Sequence, residues 1–209
     1  NGIADYDILN PVAWDDISLN LKNIELTKNS SVFVFGSLIC RNMTSRRTLK
    51  ELLKIAPFKL FDINLRSPYY NMNLIEELML SSDFIKFNYE EIEEISTIYI
   101  NKKATLENMI ETISEKTKTK NICVTMGEKG ACYYTNNSFY YQDGFKINVL
   151  DTVGAGDSFL ATLVEGILNK TKPQEILKKA CAVAALVASK EGATPTVSMT
   201  EINDLLDKK

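Results

Sequence analysis

The 209-residue chain has 27 acidic and 24 basic side chains, which give a formal net charge of −3 and a pI near 5.2. This mild acidity gives no sign of a nucleic-acid-binding surface, and no apolar run approaches the roughly 20 residues that span a membrane. The chain contains no histidine, so Ser-His and Cys-His catalysis and His-ligated zinc are excluded. A general base must therefore be a carboxylate or a less common group.

The length and a hydrophobic fraction of 45% predict a single globular domain over residues 1–209. No repeat, low-complexity linker or second domain boundary interrupts the chain. The four cysteines are widely separated and form no CxxC pair, which is typical of buried free thiols in a reducing compartment. We therefore expect a cytoplasmic protein with unpaired Cys40, Cys123, Cys132 and Cys181.

Strands and helices alternate in the first part of the chain. Short runs of β-branched and aromatic residues predict buried strands at 31–37, 58–64, 83–88 and 121–126. Apolar residues at helical spacing predict helices between them, the first capped by Thr44 or Ser45. The apolar positions of these helices are Leu49, Leu52, Leu53 and Ala56, then residues 74–80, then Leu106, Met109, Ile110 and Ile113.

This alternation predicts an α/β fold in which helices cover both faces of a parallel sheet. Ligands of such sheets bind beyond the carboxyl ends of the strands. Polar residues follow three of the predicted strands: Asp62, Asn64 and Arg66, then Asn88 and Glu91, then Thr125 and Gly127. The sequence therefore predicts a binding site at this edge of the sheet.

The pattern changes after the fourth strand. Residues 131–141 predict two strands joined by Asn136 and Asn137, because asparagine tolerates the positive φ of a two-residue turn. An amphipathic helix follows from Phe159, and a second helix spans about 174–190 with Gly192 as its C-terminal cap.

A glycine-rich stretch, VGAGD, precedes the first of these helices. Gly154 and Gly156 let the backbone turn tightly and approach a ligand closely, and the start of the helix leaves N–H groups free for an anion. Asp157 lies in the first turn, where an acid also favours the helix dipole without any catalytic role. Both interpretations remain open at this point. The stretch is not a P-loop, because GKS and GKT are absent, and not GxGxxG, because Phe159 occupies the last position.

Five stretches, in order along the chain, resemble motifs of the ribokinase-like, or phosphofructokinase-B, family of carbohydrate kinases. DTVGAGDSF is similar to the family signature, DTxGAGD followed by an aromatic residue. FDINLRSPYY, KFNYEEIE and VTMGEKGACYY resemble the DxNxR, NxxE and TxGxxG segments, and KEGATPTV resembles the ending beside the adenine pocket. The resemblance covers about residues 31–197.

The resemblance implies a three-layer sandwich with a mostly parallel central sheet, and an ATP-dependent sugar kinase. It implies that Asp157 takes the proton from the attacking sugar hydroxyl, and that the N–H groups of Gly154, Ala155 and Gly156 form an anion hole. The implied nucleotide-binding residues are Thr125, Gly127 and Gly130.

The resemblance also implies a Mg²⁺ site at Asn88 and Glu91, held through water, and a K⁺ site near Asp151. The side chains of Asn88 and Glu91 suit Mg²⁺, because this ion prefers oxygen ligands and keeps its waters. The implied substrate-binding residues are Asp62, Asn64, Arg66 and Arg41. Structural alternatives remain open: a helix cap, a strand-end turn with a local ion pair, a hairpin turn over 125–130, and a surface position for Arg41.

Within the family, FGSLICRN and NGIADYDI look most like bacterial fructokinase-type members, so we expect fructose or a related ketose as the substrate. Two alternatives remain open. One is the same fold acting on a nucleoside or a sugar phosphate, and the other is a non-catalytic protein that senses a nucleotide or a sugar. The intact Asp157 and Glu91 argue against the sensor.

The chain departs from the family pattern in one respect. It contains no GG dipeptide, so the glycine-pair sugar-binding segment is missing, and the first strands and the lid strands of the family are missing with it. We expect the C-terminal portion of a longer kinase rather than a naturally short protein. Without a lid the site stays wet and orients its substrate poorly, so we expect little or no turnover from residues 1–209 alone. An exposed sheet edge would favour a homodimer.

Overall fold

The structure is a computed structural model that describes residues 8–207. Two predictions extend outside the described residues: the start of the single domain at residue 1, and most of the fructokinase-like stretch NGIADYDI.

Strands and helices alternate along most of the described chain. The strands are β1 (Phe33–Gly36), β2 (Lys59–Asp62), β3 (Phe84–Asn88), β4 (Asn121–Thr125), β5 (Ala131–Thr135) and β6 (Ser138–Gln142). The helices are α1 (Leu21–Asn29), α2 (Met43–Leu53), α3 (Met72–Leu80), α4 (Tyr89–Ser96), α5 (Leu106–Thr117), α6 (Ala155–Leu168), α7 (Pro173–Ala188) and α8 (Met199–Asp207). Short 3-10 turns lie at Ala13–Asp16, Leu38–Arg41 and Gly127–Lys129.

The strands form one sheet in the order β1-β2-β3-β4-β5-β6. β1, β2 and β3 are parallel, with Gly36 opposite Asp62 and Asp62 opposite Lys86. Parallel strands end at the same edge of a sheet, so the polar ends of β2 and β3 lie side by side. β5 and β6 form a hairpin whose turn residues, Asn136 and Asn137, have φ angles of 51° and 56°.

The chain divides into two compact units. The amino-terminal unit comprises Ile8–Val124 and Tyr134–Asn137. Large apolar side chains of its strands and helices are completely buried: Phe61, Phe84, Phe87, Ile75, Ile92 and Ile110. Each such side chain contributes about 1.5–3 kcal/mol on burial, so this core fixes the strands whose ends carry the polar residues.

The carboxyl-terminal unit comprises residues 125–133 and 138–207 of the described chain. Helices α6 and α7 pack along each other in this unit. Gly166 of α6 permits their close approach, because a Cβ atom at this position would lie 2.6 Å from Cγ1 of Ile176 on α7. A side chain at residue 166 would therefore require the Ile176 side chain or the helix backbones to shift.

The alternation of strands and helices predicted from the sequence is confirmed, although each of the first four strands is shorter than expected. The two-residue hairpin turn is also confirmed. All four cysteines are free and buried, as predicted. In the described chain, every helix is too short or too polar to cross a membrane.

Two predictions about the first strand and the helix after it are wrong. β1 is not fully buried, because the side chain of Val34 is 47% exposed. The cap of α2 is neither Thr44 nor Ser45. Asn42 caps this helix instead, with its Oδ1 accepting the N–H of Thr44 at 2.9 Å.

The end of α7 also differs from the prediction. The helix ends at Ala188 with Ser189 as its C-cap, so Gly192 lies beyond the cap, where its φ of 83° serves a later turn. Helices α1 and α8 were not predicted, and α4 was raised only through the helix-cap alternative for Asn88 and Glu91. Their sequences are short and rich in polar residues, which weakens the periodic signal on which such predictions depend.

Gly166→Ala is expected to lower the free energy of unfolding by about 1–3 kcal/mol, because overpacking against Ile176 outweighs the better helix propensity of alanine. Urea denaturation measures the change. In an Ile176→Ala background, which removes the colliding Cγ atoms, the same substitution should be neutral or stabilising. Equal losses in both backgrounds would show that the close approach is not the cause.

Candidate active site

The predicted site residues are divided between the two units. The amino-terminal unit contains the predicted substrate and Mg²⁺ residues Asp62, Asn64, Arg66, Arg41, Asn88 and Glu91. The carboxyl-terminal unit contains Thr125, Gly127, Gly130, Asp151, Gly154, Ala155, Gly156 and Asp157. The predicted chemistry is divided in the same way, with the nucleotide-binding and catalytic residues in the carboxyl-terminal unit.

Glu91, in the first turn of α4, joins two segments of backbone. Its Oε2 accepts the N–H of Asn88 at 2.8 Å, and its Oε1 accepts the N–H of Leu65 at 3.0 Å. Oδ1 of Asn88 accepts the N–H of Glu91 at 2.7 Å, which completes a capping box. The helix-cap alternative is therefore present, and the Mg²⁺ role of both residues stays a prediction.

Glu91 is 7% exposed, and this burial raises the pKa of its carboxyl group above the usual range. The N–H donors from Asn88 and Leu65 oppose the rise, as does the Lys86 ammonium, whereas the carboxylate of Asp62 adds to it. Glu91 is thus a desolvated carboxyl group held by two backbone donors.

Asp62 ends β2 and forms an ion pair with Lys86 of β3. Nζ of Lys86 lies 2.8 Å from Oδ1 of Asp62. The chain then turns through Asn64, whose φ is 43°, and Nη1 of Arg66 donates to the carbonyl of Leu65 at 3.0 Å. The strand-end turn with an ion pair is therefore present, and its cation is a lysine that sequence reasoning missed. A lysine inside the apolar run DFIKFN was the available signal.

Arg41 is buried and its guanidinium is engaged. Nε and Nη2 donate to the two carboxylate oxygens of Asp15, each at 2.6 Å, and Nη2 also donates to the carbonyl of Leu9 at 2.7 Å. The group also lies over the rings of Trp14 and Tyr69. Because 3% of the side chain is exposed, the surface position is wrong. The substrate-binding role of Arg41 stays a prediction.

Glu91→Gln is expected to lower the free energy of unfolding by about 1–3 kcal/mol, because the amide nitrogen cannot accept one of the two buried N–H groups. Urea denaturation of the substituted chain measures the loss. Glu90→Gln is the matched control: this side chain is exposed in the same helical turn, and a change within about 0.5 kcal/mol is expected. Equal effects of the two substitutions would contradict the bridging role.

The loop that carries the DTVGAGDSF signature is fixed by contacts within the carboxyl-terminal unit. Asp151 accepts the N–H of Val153 on Oδ1 at 2.9 Å and the N–H of Gly192 on Oδ2 at 3.2 Å. Gly154 has a φ of 79°, and a Cβ atom there would collide with the carbonyl oxygen of Ala193. Asp151 and Gly154 therefore hold the loop against the segment that follows α7.

The first turn of α6 presents free N–H groups. The N–H of Ala155 donates to the carbonyl of Thr152 at 3.3 Å, so this predicted anion-hole donor is already used. In the described part of the chain, the N–H groups of Gly154, Gly156 and Asp157 have no acceptor. The Asp157 side chain is exposed, and a Cβ atom at Gly156 would meet nothing within 4 Å. This open turn has the donors and the space that a phosphate needs.

Thr125 ends β4, and the chain then turns tightly into β5. The N–H of Met126 donates to the carbonyl of Gly130 at 2.8 Å. Gly127 and Gly130 have φ angles of 58° and 89°, and a Cβ atom at Gly130 would collide with the carbonyl oxygen of Gln142. The hairpin-turn alternative therefore accounts for the conformation of both glycines. The nucleotide-binding role of the three predicted residues stays a prediction.

Gly154→Ala is expected to lower the free energy of unfolding by about 1–3 kcal/mol or more, because alanine is strained at positive φ and collides with Ala193. Gly156→Ala is the matched comparison within the same loop. It should leave stability unchanged or raise it by up to about 1 kcal/mol, since its Cβ meets open space at the start of a helix. Thermal unfolding of both variants checks the contrast, and a Gly154→Ala protein as stable as the parent would refute it.

The oxygen donors fit a magnesium ion held through water. Asn88 and Glu91 offer side-chain oxygens that each accept one N–H group and keep a further lone pair. Among residues 8–207, no group of three or more Cys, Asp or Glu side chains is placed to hold a metal ion directly. Mg²⁺ commonly keeps several waters beside one or two carboxylates, so this sparse donor set suits it.

Two kinases are similar to the chain over most of its length. An uncharacterized sugar kinase from Pyrococcus horikoshii is 32% identical over 203 residues, which cover 91% of this chain and 61% of that protein. Fructokinase-2 from Solanum lycopersicum is 29% identical over 198 residues, which cover 84% of this chain and 57% of the relative. The chain thus spans less than two thirds of the length of these relatives.

Solved structures share the fold. A 2-dehydro-3-deoxygluconokinase from Thermotoga maritima superposes with a TM-score of 0.79 at 21% identity, covering 89% of this chain and 62% of that one. A sequence profile of the pfkB family of carbohydrate kinases matches residues 9–200. The chain belongs to the pfkB family of carbohydrate kinases and has the ribokinase-like α/β fold.

Proposed function

We propose that this protein is an ATP-dependent sugar kinase that transfers the γ-phosphoryl group of ATP to a sugar hydroxyl. The observation that carries the proposal is Asp157, an exposed carboxylate beside the unpaired N–H groups of Gly154 and Gly156. Phosphoryl transfer depends mainly on positioning and charge stabilisation, and a base next to an anion-binding turn supplies both. Membership of the pfkB family supports the same assignment.

In the proposed mechanism, Asp157 accepts the proton of the sugar hydroxyl as the hydroxyl oxygen attacks the γ-phosphorus. The bond from the γ-phosphorus to the β,γ-bridging oxygen breaks, and ADP leaves. The N–H groups of Gly154 and Gly156, at the positive end of α6, stabilise negative charge on the transferred phosphoryl group. Ala155 contributes the conformation of the turn, because its N–H is used by Thr152. The proposed nucleotide-binding residues are Thr125, Gly127 and Gly130.

In the amino-terminal unit, Asn88 and Glu91 would hold Mg²⁺ through its water shell. When bound there, the ion would supply charge neutralisation at the phosphate oxygens. Glu91 suits this role because its two backbone donors fix the carboxyl group before any ligand arrives. The proposed substrate-binding residues are Asp62, Asn64, Arg66 and Arg41.

Fructose or a related ketose is the substrate that we propose, because a relative named fructokinase-2 is 29% identical. A K⁺ ion near Asp151 is also part of the proposal, since each oxygen of this carboxylate has one N–H donor and a remaining lone pair. The exposed Val34 on β1 supports a homodimer formed at this strand. The four free thiols support a cytoplasmic location.

The test is sugar-dependent ADP release with Mg²⁺-ATP, comparing fructose with ribose, a nucleoside and fructose phosphates. Asp157→Asn is expected to lower kcat by roughly 10²–10⁴, because the base is lost. Its melting temperature should stay unchanged, because asparagine also suits the start of a helix. The assay uses the 209-residue chain and the full open reading frame that encodes it.

Glu165→Gln is the matched control, since Glu165 is an exposed acid further along α6 that pairs with Lys179 at 2.7 Å. We expect kcat within about twofold of the parent, as for most surface ion pairs. Unchanged turnover in Asp157→Asn would contradict the assignment of the base. No turnover on any of these sugars by the folded, ATP-binding product of the full open reading frame would contradict the proposed function itself.

A further inference from the structure

Lys86 occupies a position where a lysine is costly. It lies in the middle of β3, between Ile85 and Phe87, which are both completely buried, and is itself 6% exposed. Strands of parallel sheets are buried on both faces and are usually apolar throughout. A buried ammonium group is unfavourable unless it is paired. Core packing alone therefore does not explain a lysine at this position.

The partner of Lys86 is the last residue of the neighbouring strand. Nζ lies 2.8 Å from Oδ1 of Asp62, which is directly opposite in the strand register. The side chains are 8% and 13% exposed. The backbone of Lys86 also contacts the end of β2, because its carbonyl accepts the N–H of Ile63 at 3.1 Å. One residue of β3 therefore fixes the end of β2 through both its side chain and its main chain.

The pairing leaves half of the Asp62 carboxylate available. In the described part of the chain, Oδ2 of Asp62 has no hydrogen-bond donor. This oxygen is also not fully buried. Three residues further on, the N–H of Leu65 is held by Glu91 at 3.0 Å. The strand end is thus anchored on both sides of Asn64, with one carboxylate oxygen accessible and fixed in orientation.

We propose that Lys86 is a positioning residue for the sugar: it holds Asp62 so that Oδ2 accepts a hydrogen bond from a sugar hydroxyl. This inference rests on the proposed kinase function. It assigns Lys86 no contact with the substrate. A fixed acceptor binds a hydroxyl at a smaller entropic cost than a mobile one, so the effect of Lys86 falls on sugar binding.

The kinetic test compares Lys86→Met, Lys86→Arg and the parent, all in the full open reading frame. Lys86→Met is expected to raise KM for the sugar about tenfold, as for one lost hydrogen bond to a charged group. KM for ATP and kcat should change less than KM for the sugar, because Glu91 keeps the two backbone donors that fix it. Lys86→Arg should restore most of the loss, since it keeps a cation opposite Asp62.

A double-substitution cycle keeps the inference testable if Lys86→Met folds poorly. Lys86→Met with Asp62→Leu replaces the ion pair by apolar side chains, an exchange that is often neutral for stability. The double variant should fold and show the same raised sugar KM as Asp62→Leu alone, because Lys86 acts through Asp62. A sugar KM at the parent value in the double variant, or additive effects in the cycle, would overturn the inference.

Amide hydrogen exchange on the 209-residue chain provides a readout that needs no turnover. In Lys86→Met, the Ile63 amide should exchange about tenfold faster while the Asn88 amide, held by Glu91, keeps its rate. Equal acceleration at both amides would indicate general destabilisation and overturn the positioning role. Absence of ADP release by the parent protein of the full open reading frame contradicts the kinase proposal, whereas normal sugar KM in an active Lys86→Met enzyme overturns only the role of Lys86.

Discussion

The bridge that Glu91 makes between two backbone N–H groups is the constraint on which the polar edge of the amino-terminal unit depends. Of its donors, Leu65 follows β2 and Asn88 ends β3, so one carboxyl group joins the carboxyl ends of these two strands. Because Glu91 is buried, loss of either donor would leave a desolvated oxygen without a partner. The Asp62–Lys86 pair reinforces the same strand ends.

In the carboxyl-terminal unit, the conformation of the signature loop is fixed mainly by contacts with backbone groups. Asp151 and Gly154 are explained by contacts with the segment after α7, where Gly192 donates a hydrogen bond and Ala193 approaches the glycine closely. Gly156 and Asp157 have no such contact: a Cβ atom at Gly156 would meet open space, and Asp157 is exposed in the first turn of α6, where an acid also favours the helix dipole. The signature therefore separates into residues that shape the turn and residues left available for a ligand.

Local patterns in the sequence predicted the strands, most helices, the Asn-Asn hairpin turn and the signature loop, because each depends on residues close together in the chain. The contacts that fix the site join distant residues. Neither the register that places Lys86 opposite Asp62 nor the bond from Leu65 to Glu91 is encoded in a local period. The cap at Asn42 was missed because two other capping residues, Thr44 and Ser45, lie within three positions of it. Charged residues inside apolar strands were the one signal of the buried pair.

The central claim is that the protein transfers a phosphoryl group to a sugar hydroxyl, and ³¹P NMR of the reaction products tests it most directly. With Mg²⁺-ATP, fructose and the product of the full open reading frame, the account predicts ADP and a new phosphomonoester resonance coupled to the protons of a CH₂ group. Formation of ADP with inorganic phosphate alone, and no sugar ester, would contradict the claim, because water rather than the sugar would then be the acceptor.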